Sequence, residues 1–528
     1  MGFIRAAEDG WHFEDADTGR PFVPIGANYC AVMARVDAGG YCGNVFPLFG
    51  TDEHTAGDGV AEGRRAFERL ESLGLNIVRI WLEPHDFFPV GRRLDPAGAA
   101  KLDALLDAGR RHGIRFTIGM HLCDHASGHK FQPFEPPHGE RLLDQLHTLA
   151  GRWGRDEQIF SWTIVGEGTL PWQTPWIVSQ WPAWLQYWYN DDLDTLRKAW
   201  GSGMKVPSFA DAPVPPPNVG LTVPLGTLRP SAIAEFPPDP WAGSTWRYDW
   251  RLFIEEIGSA RVRREARTLR EAGARQMITV GNNCWTFPGL PATQMARGYD
   301  PYFYLDAVDY LCQHNYPAPQ CLPGATGDPL DNEESMQFWL NACEIIGRIY
   351  GSLGKPVIME EWGWYGGGAS SFLCPLPHRS EDDQRRYGDR MMEVTQHCFA
   401  GWLNWLWRDM PRASDISNLS GLFAADGNRL KPWGRSFTEW ARKLKAAPPV
   451  RAAARATLDM PMKDLYTSDT AHEQWWQSVC HDYEKKGPFD FRPVFERKPM
   501  TSIMDDDLRG TVSKVRRAIE TPMGQVKK

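Results

Sequence analysis

Short, almost wholly apolar runs recur along the chain, separated by longer stretches whose apolar positions fall three and four residues apart. The runs are Phe22–Asn28 (FVPIGAN), Asn76–Leu82 (NIVRIWL), Arg115–His121 (RFTIGMH), Ser161–Glu167 (SWTIVGE), Met277–Asn282 (MITVGN), Val308–His314 (VDYLCQH), Pro356–Glu361 (PVIMEE) and Gly401–Trp407 (GWLNWLW). Strands that are apolar on both faces belong to parallel sheets covered by helices, whereas half-exposed strands alternate. The intervening stretches, among them Gly63–Leu73, Lys101–His112, Trp250–Glu271 and Asp383–His397, carry the helical period, and Gly often closes them before the next run. Eight strand-then-helix units predict an α/β chain folded as a (β/α)8 barrel.

In such a barrel the chemistry gathers where the strands end. The tails of the eight runs read Asn28, Arg79, His121, Glu167, Asn282 with Asn283, His314 with Tyr316, Glu361 and Trp405. Any one of these alone is best read as a satisfied core polar group or a paired surface charge. As a set, at the ends of apolar strands, they are not what core packing asks for, and they are the candidate functional residues.

The stretches LGLNIVRIWL, IFSWTIVGEG, DYLCQHNYP, KPVIMEEWG, GWLNWLW and GLFAADGNRLKPWG follow one another in order between Pro21 and Lys445. This ordered series resembles the clan A glycoside hydrolases, above all family 5, the cellulase and mannanase group, with features of the family 42 β-galactosidases. The resemblance implies a TIM barrel and retaining hydrolysis of β-glycosides by double displacement. It implies Glu167 as general acid/base and Glu361 as nucleophile, with Arg79 and Tyr316 as donors to the nucleophile. His121 and His314 would then meet sugar hydroxyls or tune the acid/base, and Trp405 would form a platform under the sugar ring. No metal and no cofactor is implied.

Glycosidic cleavage needs a proton donor and a facing carboxylate, about 5–5.5 Å apart for retention and about 6.5–9.5 Å for inversion. Glu360 rivals Glu361, because EEWG offers two adjacent carboxylates. Strand alternation is expected to turn them to opposite faces, and Glu361, directly before Trp362-Gly363, matches the family pattern. One departure stands out: Gly166 precedes Glu167 where the family places Asn. That change points to a substitute donor from Asn282 or Asn283, to altered substrate choice, or to a carbohydrate-binding barrel with weak or no hydrolysis.

Composition narrows the partners. The 528 residues are 42% hydrophobic and 23% charged with net charge −8, which disfavours a nucleic-acid partner and favours small or neutral ligands, and the resemblance implies a carbohydrate among them. No run is long and apolar enough to span a membrane, and the opening MGFIRAAEDGWHFEDADTG lacks an apolar signal region, so the expectation is a cytoplasmic protein with no membrane partner. Ten Cys without a CxxC pair suggest reduced thiols and no thiolate metal site. The 24 Trp suit a packed core, and also the apolar faces of sugars.

Residues 1–445 are read as the barrel, including a long insertion after strand four, 168–276, and residues 446–528 as a C-terminal extension of unknown role that wraps the barrel or contacts a second copy of the chain. The insertion opens with Trp172, Trp176, Trp181, Trp184 and Trp188 just after Glu167. An aromatic wall there would close one end of a cleft, which predicts exo action on short oligosaccharides or glycosides. An endo-acting mannanase or glucanase is the alternative.

Overall fold

The computed structural model describes residues 2–30, 34–38, 41–45, 59–82, 87–88, 93–120, 138–166, 174–215, 243–283, 298–317, 328–371, 375–413 and 415–496. Eight parallel strands close a barrel: β1 (Ile25–Asn28), β2 (Ile77–Leu82), β3 (Arg115–Met120), β4 (Ile159–Gly166), β5 (Met277–Asn283), β6 (Leu311–Asn315), β7 (Val357–Trp362) and β8 (Gly401–Asn404). Each strand pairs with the next in the chain, and β8 pairs with β1. These are the eight expected runs, shifted at their ends by a few residues. Each is buried on both faces, which is why the sequence shows apolar runs instead of alternation.

The surrounding helices are α1 (Gly59–Ser72), α2 (Pro96–Arg111), α3 (His138–Trp153), α4 (Pro175–Trp188), α5 (Leu193–Trp200), α6 (Thr245–Glu271), α7 (Glu333–Gly351), α8 (Glu381–Thr395), α9 (Pro432–Ala446), α10 (Met462–Thr467) and α11 (Asp469–Lys486). Their starts carry the expected signals. Asp95 accepts from Gly98 N at 2.7 Å ahead of Pro96, and Ser380 with Asp383 forms a reciprocal capping box. Among the described residues no helix is long and apolar enough to cross a membrane.

The N-terminal end of the barrel is plugged. Ile4–Ala6, Phe13–Asp15 and Pro21–Phe22 form a small antiparallel sheet. Its Phe13 ring meets Phe160 and Tyr310 edge-on, each at 5.4 Å, inside a closed apolar cluster with Ile77, Met277 and Ile358. The barrel mouth is therefore the other end, where the strands' C-terminal residues lie.

The insertion after β4 contributes α4, α5 and the first half of α6, and α6 continues into the helical layer to pack on α3. Trp181, Trp184 and Trp188 are buried and stack in a column, with 5.3 Å between the first two rings and 5.0 Å between the last two. Trp250 and Phe253 of α6 close on Trp181. These three Trp are thus the insertion's own core, not the wall of a cleft. Their positions, with Ile177 and Leu185, form one apolar helical stripe, and such a stripe seeks another helix. Trp172 lies outside the described residues, and Trp176 is half-buried.

Part of the C-terminal extension, up to residue 496, lies on the barrel's helical layer. Met460, Leu465, Tyr466, Trp476 and Phe491 are buried in the same core as the barrel helices. The parallel pair Ala456–Pro461 and Phe489–Val494 lies beside α7, where Ser352 Oγ accepts from Phe491 N at 3.1 Å. Trp11 Nε1 donates to Pro449 O at 2.9 Å, tying the extension to the N-terminal sheet.

Candidate active site

Strands β2, β6 and β7 bring Arg79, His314 and Glu361 to one point, and Tyr316 follows β6 directly. The Arg79 guanidinium donates through Nη1 to Glu361 Oε1, and Tyr316 OH donates to Glu361 Oε2 at 3.0 Å. His314 Nδ1 stands 3.6 Å from the same oxygen. Glu361 is 6% exposed, so its carboxylate is held almost entirely by protein donors while its tip reaches the mouth.

The expected opposition of Glu360 and Glu361 does not occur. The β6–β7 register passes from Gln313 opposite Met359 to His314 opposite Glu361, so Glu360 is the extra residue of a bulge. A bulge lets neighbouring side chains share one face of the sheet, which strict alternation forbids. Glu360 accordingly points into the barrel beneath Glu361 and is 1% exposed. Thr163 Oγ1 donates to its Oε1 at 2.7 Å and Thr117 Oγ1 at 3.3 Å, Arg79 Nε lies at 3.6 Å, and His314 Nε2 lies 3.2 Å from Oε2. Burial pushes the Glu360 carboxyl up, but Arg79 and the bonds from His314 and Thr163 outweigh it and hold the pKa at about 2. Burial likewise works against the Arg79 charge, and the two carboxylates more than restore it.

Trp405, just past β8, lies over this cluster. Trp81 meets its ring edge-on at 5.4 Å and Tyr316 at 6.5 Å, and its Nε1 donates to Ser417 Oγ at 2.9 Å. Trp81 also lies under the Arg79 guanidinium, 4.6 Å from ring centre to carbon. Asn28 Nδ2 binds the backbone carbonyls of Glu360, Leu403 and Asn404 at 2.9, 3.3 and 3.2 Å, which fixes the ends of β7 and β8 on β1. Sequence reading missed Trp81, Thr117, Thr163 and the role of Glu360. Trp81 carried a signal, since it lies two residues after Arg79 on the same face of β2, whereas the two Thr look like ordinary strand residues.

Of the remaining expected residues, Asn282 alone has a described side chain. Asn282 is buried and donates through Nδ2 to Tyr304 OH, on the short helix Pro301–Tyr304 outside the barrel. Asn283 pairs with His314 in the ladder, but its side chain is outside the described set. Glu167 and His121 lie outside the described residues. The last residue of β4, Gly166, pairs with Gly281 of β5. A Cβ on Gly281 would stand 3.0 Å from Glu360 Oε2, so β4 ends at Gly166 beside this cluster.

No protein-family model and no curated protein sequence matches the chain. Solved structures of like fold include a β-galactosidase from Rahnella sp. R3, with a TM-score of 0.63 and 14% identity over 82% of this chain and 62% of that one. A family 42 β-galactosidase from G. stearothermophilus gives 0.62 and 15% over 82% and 63%. An exo-β-1,4-mannosidase from Opitutaceae bacterium strain TAV5 gives 0.54 and 15% over 92% and 72%. The chain thus shares the barrel fold of known glycoside hydrolases. It spans about three-fifths of the length of the first two, 62% and 63%.

Proposed function

We propose that this chain is a retaining β-glycosidase, with Glu361 as nucleophile and Glu167 as general acid/base. The observation that carries the reading is the Glu361 carboxylate at the barrel mouth, gripped by Arg79 and Tyr316 beside the Trp405 ring. Donors on this carboxylate fix its direction for attack on an anomeric carbon. In the first step Glu361 attacks that carbon and the leaving oxygen takes the Glu167 proton. In the second, Glu167 removes a proton from water, which displaces Glu361 from the sugar. The face of Trp405 suits the apolar face of the ring.

Exo action on short glycosides takes its support from the exo-β-1,4-mannosidase and the β-galactosidases of like fold, since the buried Trp column of α4 builds no wall. The experiment is a panel of aryl β-galactosides, mannosides, glucosides and xylosides, followed by an end-labelled oligosaccharide. Release of single sugars from one end from the earliest times is the expected outcome, and early mid-length fragments would return the chain to endo action. Gly166 favours a second reading, a sugar-binding barrel without hydrolysis, and silence across the whole panel would select it.

A further inference from the structure

Beneath the proposed nucleophile lies a second carboxylate that the two-step reaction does not use. Glu360 is sealed from the mouth, yet it is charged, and barrel interiors ordinarily exclude charge because desolvation is costly unless partners compensate. Its compensation is specific: Arg79 and His314, both of which also face Glu361. A carboxylate only accepts, so its contact with Nε2 assigns the His314 proton to that nitrogen and turns Nδ1 toward Glu361. Gly281 leaves room for the contact, since a Cβ there would come within 3.0 Å of Glu360 Oε2 and 3.1 Å of His314 Nε2.

We propose that Glu360 is a positioning residue for the nucleophile: it holds Arg79 and His314 from below and offsets the Arg79 charge, so that Glu361 keeps its donors without losing its nucleophilicity. The inference rests on the glycosidase reading and names how the same site is tuned. With Glu360 in place, one guanidinium serves two carboxylates. Without it, the full cationic field of Arg79 falls on Glu361 and draws down its lone pairs. A net negative cluster also opposes less, and favours more, the positive charge that develops on the sugar. Among the described residues the titratable or charged groups facing Glu360 are Arg79 from β2, Tyr310, Cys312 and His314 from the β6 segment, and Glu361 beside it. Burial holds the Tyr310 and Cys312 protons on well above their ordinary range, so neither titrates in the working window.

The test is Glu360→Gln, which keeps shape and removes charge. Side-chain carboxyl 13C NMR of the glutamate-labelled chain, with the Glu361 signal assigned from Glu361→Gln, follows the titration of Glu361 without turnover. The expected result is a Glu361 midpoint lower by about one unit in Glu360→Gln, because removing a nearby negative charge makes the remaining one easier to form. On an aryl glycoside, kcat/KM is expected to fall about 100-fold, about 2.7 kcal/mol, chiefly in kcat, with the acidic limb moved to lower pH. An unchanged midpoint and limb, with only a lower melting temperature, would overturn the proposal. Should Glu360→Gln fail to fold, Gly281→Ala carries the same test by wedging the Glu360–His314 pair apart. A kcat loss of about tenfold with KM unchanged supports the proposal, and unaltered kinetics overturns it. A wild-type chain that cleaves no glycoside would contradict the glycosidase reading, while the NMR titration still decides the role of Glu360.

Discussion

At the scale of single residues, Glu361 is defined by its donors. Removing one of them, in Tyr316→Phe, leaves the ring packed on Trp405 and is expected to lower kcat/KM by about 100-fold on aryl glycosides with little change in melting temperature. An unaltered kcat/KM would show that Tyr316 does not serve the nucleophile. Glu360 makes its own pH dependence. Its carboxyl is held at about 2 against an ordinary value of 4.5, so its contribution to stability is complete above 4.5 and is lost as pH falls toward 2. The stability gap between the natural chain and Glu360→Gln, followed by urea unfolding, is therefore expected to shrink between pH 5 and pH 2, and a gap that widens would contradict the assignment. His314 and Glu361 were legible because each closes an apolar run, Tyr316 because it follows one, and Arg79 because it is a charge set inside one. Glu360 was misread because a bulge is a property of the register between two strands, and one strand's pattern does not contain it.

At the scale of elements, α6 joins the insertion to the barrel through buried polar groups. Trp184 Nε1 donates to Glu256 Oε2 at 2.7 Å, and burial pushes the Glu256 carboxyl up to about 8. Asp300 caps the short helix Pro301–Tyr304, takes a bond from Tyr466 OH of α10, and is raised to about 7 by burial and by Glu255. A carboxyl raised in the fold costs stability as pH climbs from its unfolded value, 3.8, to the folded one. Asp300→Asn removes that cost, so its melting midpoint is expected to exceed that of the natural chain by about 2–4 °C at pH 8 and by less at pH 5. A larger gain at pH 5 would reverse the sign and refute the argument. The Trp column of α4 shows how a composition signal misleads. Trp suits both sugars and cores, but the helical spacing of 177, 181, 184 and 188 already favoured the core. Asn282 was drawn into the site by its place at a strand tail, while its side chain is taken by Tyr304, a partner distant from the strand pattern.

At the scale of the whole molecule, the barrel was readable because parallel strands buried on both faces write themselves as apolar runs, whereas its plug and its wrapping were not. The N-terminal strands are two or three residues long, too short to carry a pattern, and Phe13 acts by filling the barrel end. Residues 446–496 were legible only as the place where periodicity stops, yet their apolar side chains join the barrel's core. Each such side chain contributes about 1.5–3 kcal/mol when fully buried. A chain ending at Lys445 is accordingly expected to be insoluble or to melt at least about 5 °C lower. Melting within about 1 °C of the full chain, read by differential scanning calorimetry, would show that the extension is dispensable. The proposed function requires Glu361 to attack an anomeric carbon as a nucleophile. The direct measurement is incubation with 2-deoxy-2-fluoro β-glycosides carrying an activated leaving group, followed by peptide mass spectrometry. A stable glycosyl adduct on Glu361 is the predicted result. An adduct on Glu360 would contradict the account, as would cleavage that releases the inverted sugar with no adduct.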